Sequence, residues 1–150
     1  MITQLKVNIR KVDAERIRPL RHSELRKGQD FSTTSYLKDY EINTFHMACI
    51  VDDKPVTCAT FYPEKSTKIK TENAYRLRGM ATDSRFTRKG YASNLMAESF
   101  KELKKRDCDM VWCNARLVAV DFYKSVGFKI TGELFDIKGI GPHYYMYKEI

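Results

Sequence analysis

The sequence predicts a layered α/β (α+β) domain, a mixed central sheet of about six to seven strands flanked by helices. Three observations lead there. Short β-branched and aromatic runs recur along the whole chain, stretches with helical spacing of apolar residues fall between them, and Gly, Pro and Asp mark the junctions. The 150 residues fit one domain over 1–150, and an apolar content of 43% is enough for a real core. No internal repeat, low-complexity run or Ser/Pro/Gly-rich linker offers a place to divide it.

The first strand is LKVNIRKV, Leu5 to Val12, where Leu5, Val7 and Ile9 recur at a period of two. A helix over AERIRPLRHSELRKG follows; Pro19 predicts that it is short or kinked, and Gly28 can cap its end. Residues 29–44 are polar and aromatic without a clear period. FHMACIVDDKPVTCATFYP reads as a hairpin turning at Asp52, Asp53 and Pro55, and AYRLRGMAT, Ala74 to Thr82, is the next strand. From Gly90 to Lys105, Ala92, Leu95, Met96, Phe100 and Leu103 form the apolar stripe of an amphipathic helix. DMVWCNA is a short apolar strand. Ala119, Phe122, Tyr123 and Val126 then share a helix face that Gly127 ends, and FKITGELF and HYYMYKEI, joined by a GIG turn, close the chain as strands.

Composition excludes several classes. The N-terminus has no secretory apolar segment, and no apolar run approaches the roughly 20 residues that span a bilayer, so a soluble, cytoplasmic protein is expected with no membrane partner. Cys49, Cys58, Cys108 and Cys113 form no C-x-x-C pair, which argues against zinc or a disulfide framework and for four buried, reduced thiols. The net charge of +8 favours a polyanionic partner.

The placement of that charge is more specific. TRKGYASNLM, Thr87 to Met96, puts two cations and a glycine between the end of a central strand and the start of a helix. A helix N-terminus already carries partial positive charge, so adding Arg88 and Lys89 there makes sense when phosphates occupy the pocket of backbone N–H groups. Gly90 lets the backbone approach the ligand, and Ala92 keeps the first turn uncrowded. The spacing matches neither a Walker loop nor a dinucleotide fingerprint, and a solvated basic turn is the plain alternative.

ATDSRFTRKGYASNLM, followed by DMVWCNARLVAVDFYKSVGFKITGE and HYYM, resembles the acetyl-CoA-binding core of the GNAT superfamily, the acyl-CoA-dependent N-acyltransferases, from about Ala74 to Ile150. The family's pyrophosphate loop runs Gln or Arg, two residues, Gly, one residue, then Gly or Ala. Gly90 and Ala92 match it, and Thr87 departs at the first position. A second hallmark, A-x-x-F-Y-x-x-x-G-F, is met by Ala119, Phe122, Tyr123, Gly127 and Phe128. The N-terminal half resembles bacterial members in which a strand, a Pro-containing helix and a hairpin precede this core.

The resemblance implies a mostly antiparallel central sheet with splayed parallel strands at the CoA site, and direct transfer of an acetyl group from acetyl-CoA to an amine. Backbone groups of Met80, Ala81 and Thr82 would pair with pantetheine; Arg88, Lys89, Gly90, Tyr91 and Ala92 would hold the pyrophosphate; Asn114 would orient the pantetheine arm or the following helix. Tyr123 would be the general acid to the departing thiolate, a role that a phenol of ordinary pKa about 10 can fill by hydrogen bonding.

The general base is less legible. Many family members carry Glu where this chain has Arg76, which leaves Glu72, Tyr75, Glu133 and His143 as candidates. His46, beside an apolar strand, reads as structural. Arg76 and Arg78 alternate on one strand, so they either pair internally or meet a carboxylate or phosphate of a small-molecule acceptor, a setting in which Glu72 and His143 could also touch substrate. Two other classes stay open: a non-catalytic acyl-CoA sensor, which the Arg76 departure allows, and a basic nucleic-acid module, for which no helix-turn-helix, zinc spacing or RNP-like strand is present. A homodimer is compatible with all of these.

Overall fold

The computed structural model describes residues 6–150. Its strands are β1 (Val7–Val12), β2 (Phe45–Val51), β3 (Lys54–Pro63), β4 (Ala74–Thr82), β5 (Met110–Arg116), β6 (Lys129–Ile137) and β7 (Gly141–Glu149), and its α-helices are α1 (Ala14–Leu25), α2 (Tyr91–Lys105) and α3 (Val120–Ser125). The sheet order is β1-β2-β3-β4-β5-β7-β6, mixed and mostly antiparallel as expected, with β4 and β5 parallel. The described residues group into two compact units, the chain up to Tyr62 with Arg78–Ser99, and Pro63–Leu77 with Phe100–Ile150. No described helix is long and apolar enough to cross a membrane.

In the first unit, β1 is an edge strand, paired to β2 alone. An edge strand buries little, and on the face expected to be half-buried Ile9 is so while Val7 is 46% exposed; Leu5 lies outside the described residues. All seven residues of β2 are buried. The β2–β3 turn consists of Asp52 and Asp53, both left-handed at φ 46° and 68°, a two-residue hairpin geometry that suits Asp. Pro55, expected in that turn, instead lies within β3 opposite Ile50, where a register shift at Cys49/Ile50 accommodates a residue with no N–H.

Helix α1 is twelve residues long and runs through Pro19. Its packing offsets the backbone bond lost there: Ile17 and Leu20 are buried in one cluster with Ala48 and Ile50 of β2, Cys58 of β3 and Ala81 of β4. The C-cap is Arg26, whose N–H donates to the Arg21 and His22 carbonyls, and Gly28 follows two residues later. Residues 29–44 form a 3-10 turn at Phe31–Thr34 and tight turns around a buried charge. Arg21, fully buried, donates from Nη1 to Asp39 Oδ2 (2.7 Å) and the Thr34 carbonyl (2.7 Å), and from Nη2 to Asp39 Oδ1 (3.0 Å) and Thr60 Oγ1 (2.6 Å). Its guanidinium also lies 3.9 Å from the Tyr36 ring centroid.

In the second unit, β4 begins beside β5, pairing Ala74–Arg76 with Met110–Trp112 in parallel. Beyond it β5, β7 and β6 are antiparallel, and the period of two places Trp112 and Asn114 of β5 on one face with His143 and Tyr145 of β7. Ala74, Met110, Trp112 and Tyr145 form the buried cluster there, with Ile69, Phe135 and Tyr147 packed against it. Helix α3 is shorter than the sequence suggests because Ala119 belongs to a preceding 3-10 turn; Gly127, at φ 104°, ends it by donating its N–H to the Lys124 carbonyl.

Candidate active site

The basic loop of the first unit is held by short-range chemistry. At the end of β4 the Asp83 N–H donates to the Val56 carbonyl (2.8 Å), and the Asp83 carboxylate accepts from the Arg85 N–H (2.9 Å) and pairs with the Arg85 guanidinium (2.9 Å). Those bonds, with Arg85's charge, keep the Asp83 carboxyl below its ordinary pKa. One 3-10 turn later the backbone is left-handed at Arg88 (φ 60°) and again at Gly90 (φ 81°). A Cβ on Gly90 would meet nothing within 4 Å, so the backbone conformation and not crowding demands glycine, and the space above the loop is open. The Gly90 carbonyl accepts the first α2 bond, from the Asn94 N–H (3.0 Å), leaving the amides of Tyr91, Ala92 and Ser93 without intrahelical acceptors. The first turn of α2 has no acidic residue, and Arg88 and Lys89 are exposed with no ion-pair partner among the described residues. Met80, Ala81 and Thr82 form the strand end just before this loop.

Gly79, also in β4, has a left-handed φ of 64°, and a Cβ there would stand 3.0 Å from Tyr36 Cε2 and 3.2 Å from Arg21 Nε. Its neighbour Arg78 lies 4.4 Å from the Tyr36 centroid and has no ion-pair partner among the described residues. His46 is structural: Nε2–H donates to the Asp39 carbonyl (3.0 Å), so the neutral ring's Nδ1 accepts from the Thr60 hydroxyl (2.8 Å), whose oxygen takes the Arg21 proton. Burial holds the His46 pKa below its usual value.

In the second unit, Tyr123 is buried between Phe122 (5.5 Å between centroids) and Phe128 (5.2 Å). Its hydroxyl has no hydrogen-bond partner among the described residues. Burial first, then the neighbouring Cys113, push its pKa well above 10 against the pull of Arg116, so the phenol stays protonated and can only donate at neutral pH. Arg76 meets Glu64 at 3.1 Å and stacks 4.8 Å from the Trp112 ring centroid, the internal pairing that the sequence left open. Glu64, which no sequence pattern singled out, is anchored by its N–H to the Ala74 carbonyl and by its carbonyl, which accepts from Trp112 Nε1 (2.9 Å).

The proposed bases differ in setting. Tyr75 is buried and hydrogen-bonded to Arg106; Glu72 is exposed, held by its backbone N–H on Asp109 (2.8 Å). His143 is buried, donates Nδ1–H to the Gly141 carbonyl (2.8 Å) and stacks on Phe135, which leaves Nε2 as the lone-pair nitrogen of the neutral ring. Asn114 and Glu133 line an open pocket of about 520 Å³, together with Thr67 and Lys68 ahead of β4, Trp112 of β5, Leu134 and Phe135 of β6, and Tyr145 of β7. β6 bulges beside it: Thr131 opposes Tyr145 and Phe135 opposes His143, so three residues, Gly132, Glu133 and Leu134, stand against one of β7. Among the described residues, no three His, Cys, Asp or Glu side chains gather as a metal site.

Residues 14–128, which span the basic loop and the segment carrying Tyr123, match the model of the Acetyltransferase (GNAT) family. The chain belongs to this family. Membership makes it an acyltransferase, and the chain is 33% identical over 144 residues to the uncharacterized N-acetyltransferase YitI of Bacillus subtilis (strain 168), covering 96% of this chain and 97% of that one. Two solved GNAT structures share the fold at low identity. An aminoglycoside 6'-N-acetyltransferase complexed with coenzyme A aligns at a TM-score of 0.77 and 13% identity over 95% of this chain and 96% of its own. A GNAT acetyltransferase from Elizabethkingia anophelis with acetyl-CoA bound aligns at 0.69 and 13% over 96% and 98%.

Proposed function

We propose that this GNAT member is a cytoplasmic, single-domain enzyme over 1–150 that transfers the acetyl group of acetyl-CoA directly to a primary amine of a small molecule. Its partners in this reading are small molecules, not nucleic acid or lipid. The observation that carries the cofactor is the loop at Arg88–Ala92. Two unpaired cations, two left-handed residues and the free amides of α2 surround open space, and the first turn of α2 offers no carboxylate to repel a phosphate. CoA carries about four negative charges at neutral pH, which this loop and the protein's positive excess suit.

Acetyl-CoA brings an activated thioester; the chain's residues position it and handle protons. The amides of Tyr91, Ala92 and Ser93 and the Arg88 and Lys89 side chains hold the pyrophosphate, and the backbone of Met80–Thr82 pairs with the pantetheine arm. Asn114 helps to orient that arm. Tyr123, kept protonated by burial, donates to the sulfur as the thiolate departs, and its unpartnered hydroxyl loses no internal bond in doing so.

Thermal melting with acetyl-CoA, followed by amine-dependent release of free CoA, tests this reading. At 100 times its dissociation constant acetyl-CoA should stabilise the fold by about 2.7 kcal/mol. An unchanged melting temperature removes the cofactor assignment, whereas stabilisation without amine-dependent CoA release makes the chain a sensor.

A further inference from the structure

We propose that the pocket of the second unit is the acceptor site and takes an aromatic amine that also carries a carboxylate; this rests on the acetyltransferase reading above. Its floor is aromatic and buried. Trp112 and Tyr145 are stacked 5.3 Å apart at 18°, 7% and 3% exposed, with Phe135 beside them, a surface that a flat ring covers and a flexible polyamine does not.

Two opposite charges stand at the rim of that floor without neutralising each other. Lys68 and Glu133 both line the pocket, and neither has an ion-pair partner among the described residues. Lys68 approaches the β6 backbone beside Glu133, because its Nζ lies 3.8 Å from where a Cβ on Gly132 would be. A ligand bearing ammonium and carboxylate together satisfies both.

The third polar group is the Tyr145 hydroxyl, whose direction follows from counting. Ser66 Oγ accepts from the N–H groups of Lys68 (3.0 Å) and Ile69 (3.1 Å), which uses both of its lone pairs. Its contact with the Tyr145 hydroxyl must therefore have serine as the donor. The phenol's own hydrogen is left free to donate to a ligand oxygen, and the carboxylate that Lys68 attracts is the acceptor it suits.

The single tryptophan of the chain is Trp112, so intrinsic fluorescence reports directly on this pocket. L-Phenylalanine, phenethylamine and L-alanine are titrated into the protein without acetyl-CoA. We expect a saturable change with L-phenylalanine, at least about tenfold weaker binding of phenethylamine, and none with L-alanine. Lys68→Met should bring L-phenylalanine and phenethylamine within about twofold of each other, and Glu133→Gln should weaken both by about tenfold. Both residues are exposed, so both variants should melt as the wild type does.

No saturable signal up to the solubility of L-phenylalanine overturns the proposal, as does equal affinity for the two aromatic amines, or discrimination that survives Lys68→Met. The acetyl-CoA melting shift separates the two readings. A protein stabilised by acetyl-CoA that ignores L-phenylalanine keeps its acyltransferase assignment and loses this pocket. One that binds L-phenylalanine without responding to acetyl-CoA keeps the pocket as a ligand site but loses the cofactor reading on which its acceptor role rests.

Discussion

Replacing Tyr123 by phenylalanine should separate chemistry from packing. The ring keeps its contacts with Phe122 and Phe128, and the hydroxyl that is lost has no hydrogen-bond partner among the described residues. No internal bond is therefore broken, and stability should stay within about 0.5 kcal/mol of wild type. Affinity for acetyl-CoA, read from the melting shift, should also be unchanged. Turnover should not be: a proton donor to the leaving thiolate contributes about ten- to a thousandfold, or about 1.4 to 4 kcal/mol of activation free energy. The assay is CoA release at saturating acetyl-CoA with an amine found by screening, and the deficit should sit in kcat with KM for acetyl-CoA preserved. Because burial raises the phenol's pKa above 10, the wild-type kcat should also show no alkaline decline assignable to Tyr123 below that pH. Wild-type turnover in Tyr123→Phe would refute the reasoning, and so would a loss of turnover matched by a lower melting temperature, which would mark Tyr123 as a packing residue.

Four further outcomes follow from named residues. Asp39→Ala strands the buried Arg21 and should cost about 3 to 5 kcal/mol in urea unfolding. Burial opposes ionisation of Asp39, but the Arg21 and Tyr36 N–H hydrogen bonds outweigh it and hold its pKa below 3.8, while burial holds His46 below 6.5. Both groups stabilise the fold above those unfolded values, so stability should fall as pH drops below about 6.5 and again below about 3.8, with the lower step smaller in the variant. Gly90→Val forces a β-branched residue to a φ of 81° and should remove most of the roughly 2.7 kcal/mol acetyl-CoA shift. Burial raises all four cysteine thiols, Cys58 to about 12, so a thiol reagent at pH 8 should label none in the native protein and four after denaturation.

What the sequence made legible is what short-range pattern encodes. The bounds of β4, the stripe of α2 and both hairpins follow from periods of two and 3.6 and from Asp and Gly at turns, and each depends on a few consecutive residues. The basic loop was readable for the same reason, since Arg88, Lys89 and Gly90 act through their own backbone and the helix that follows. The Arg21 network was not, because Asp39, Thr60 and His46 come from segments 18 to 39 residues away and residues 29–44 have no period to align them. Glu64 escaped notice because its meaning depends on the β4 residue Arg76, twelve positions on. The pocket is the least local feature. It needs the pairing of β5 with β7, and the bulge at Gly132–Leu134 reads, in one dimension, as ordinary strand. Pro19 marks a helix that local signals weaken and that the core joined by α1 holds together on both sides of it.

Acetyl transfer from acetyl-CoA to a small-molecule amine is tested most directly by incubating the purified protein with acetyl-CoA and a panel of primary amines, following free CoA and the acetylated amine by mass spectrometry. CoA and N-acetyl product should form in equal amounts, only when a suitable amine is present, and both should be suppressed in Gly90→Val. Binding of acetyl-CoA with no amine in a broad panel raising CoA release above hydrolysis would contradict it.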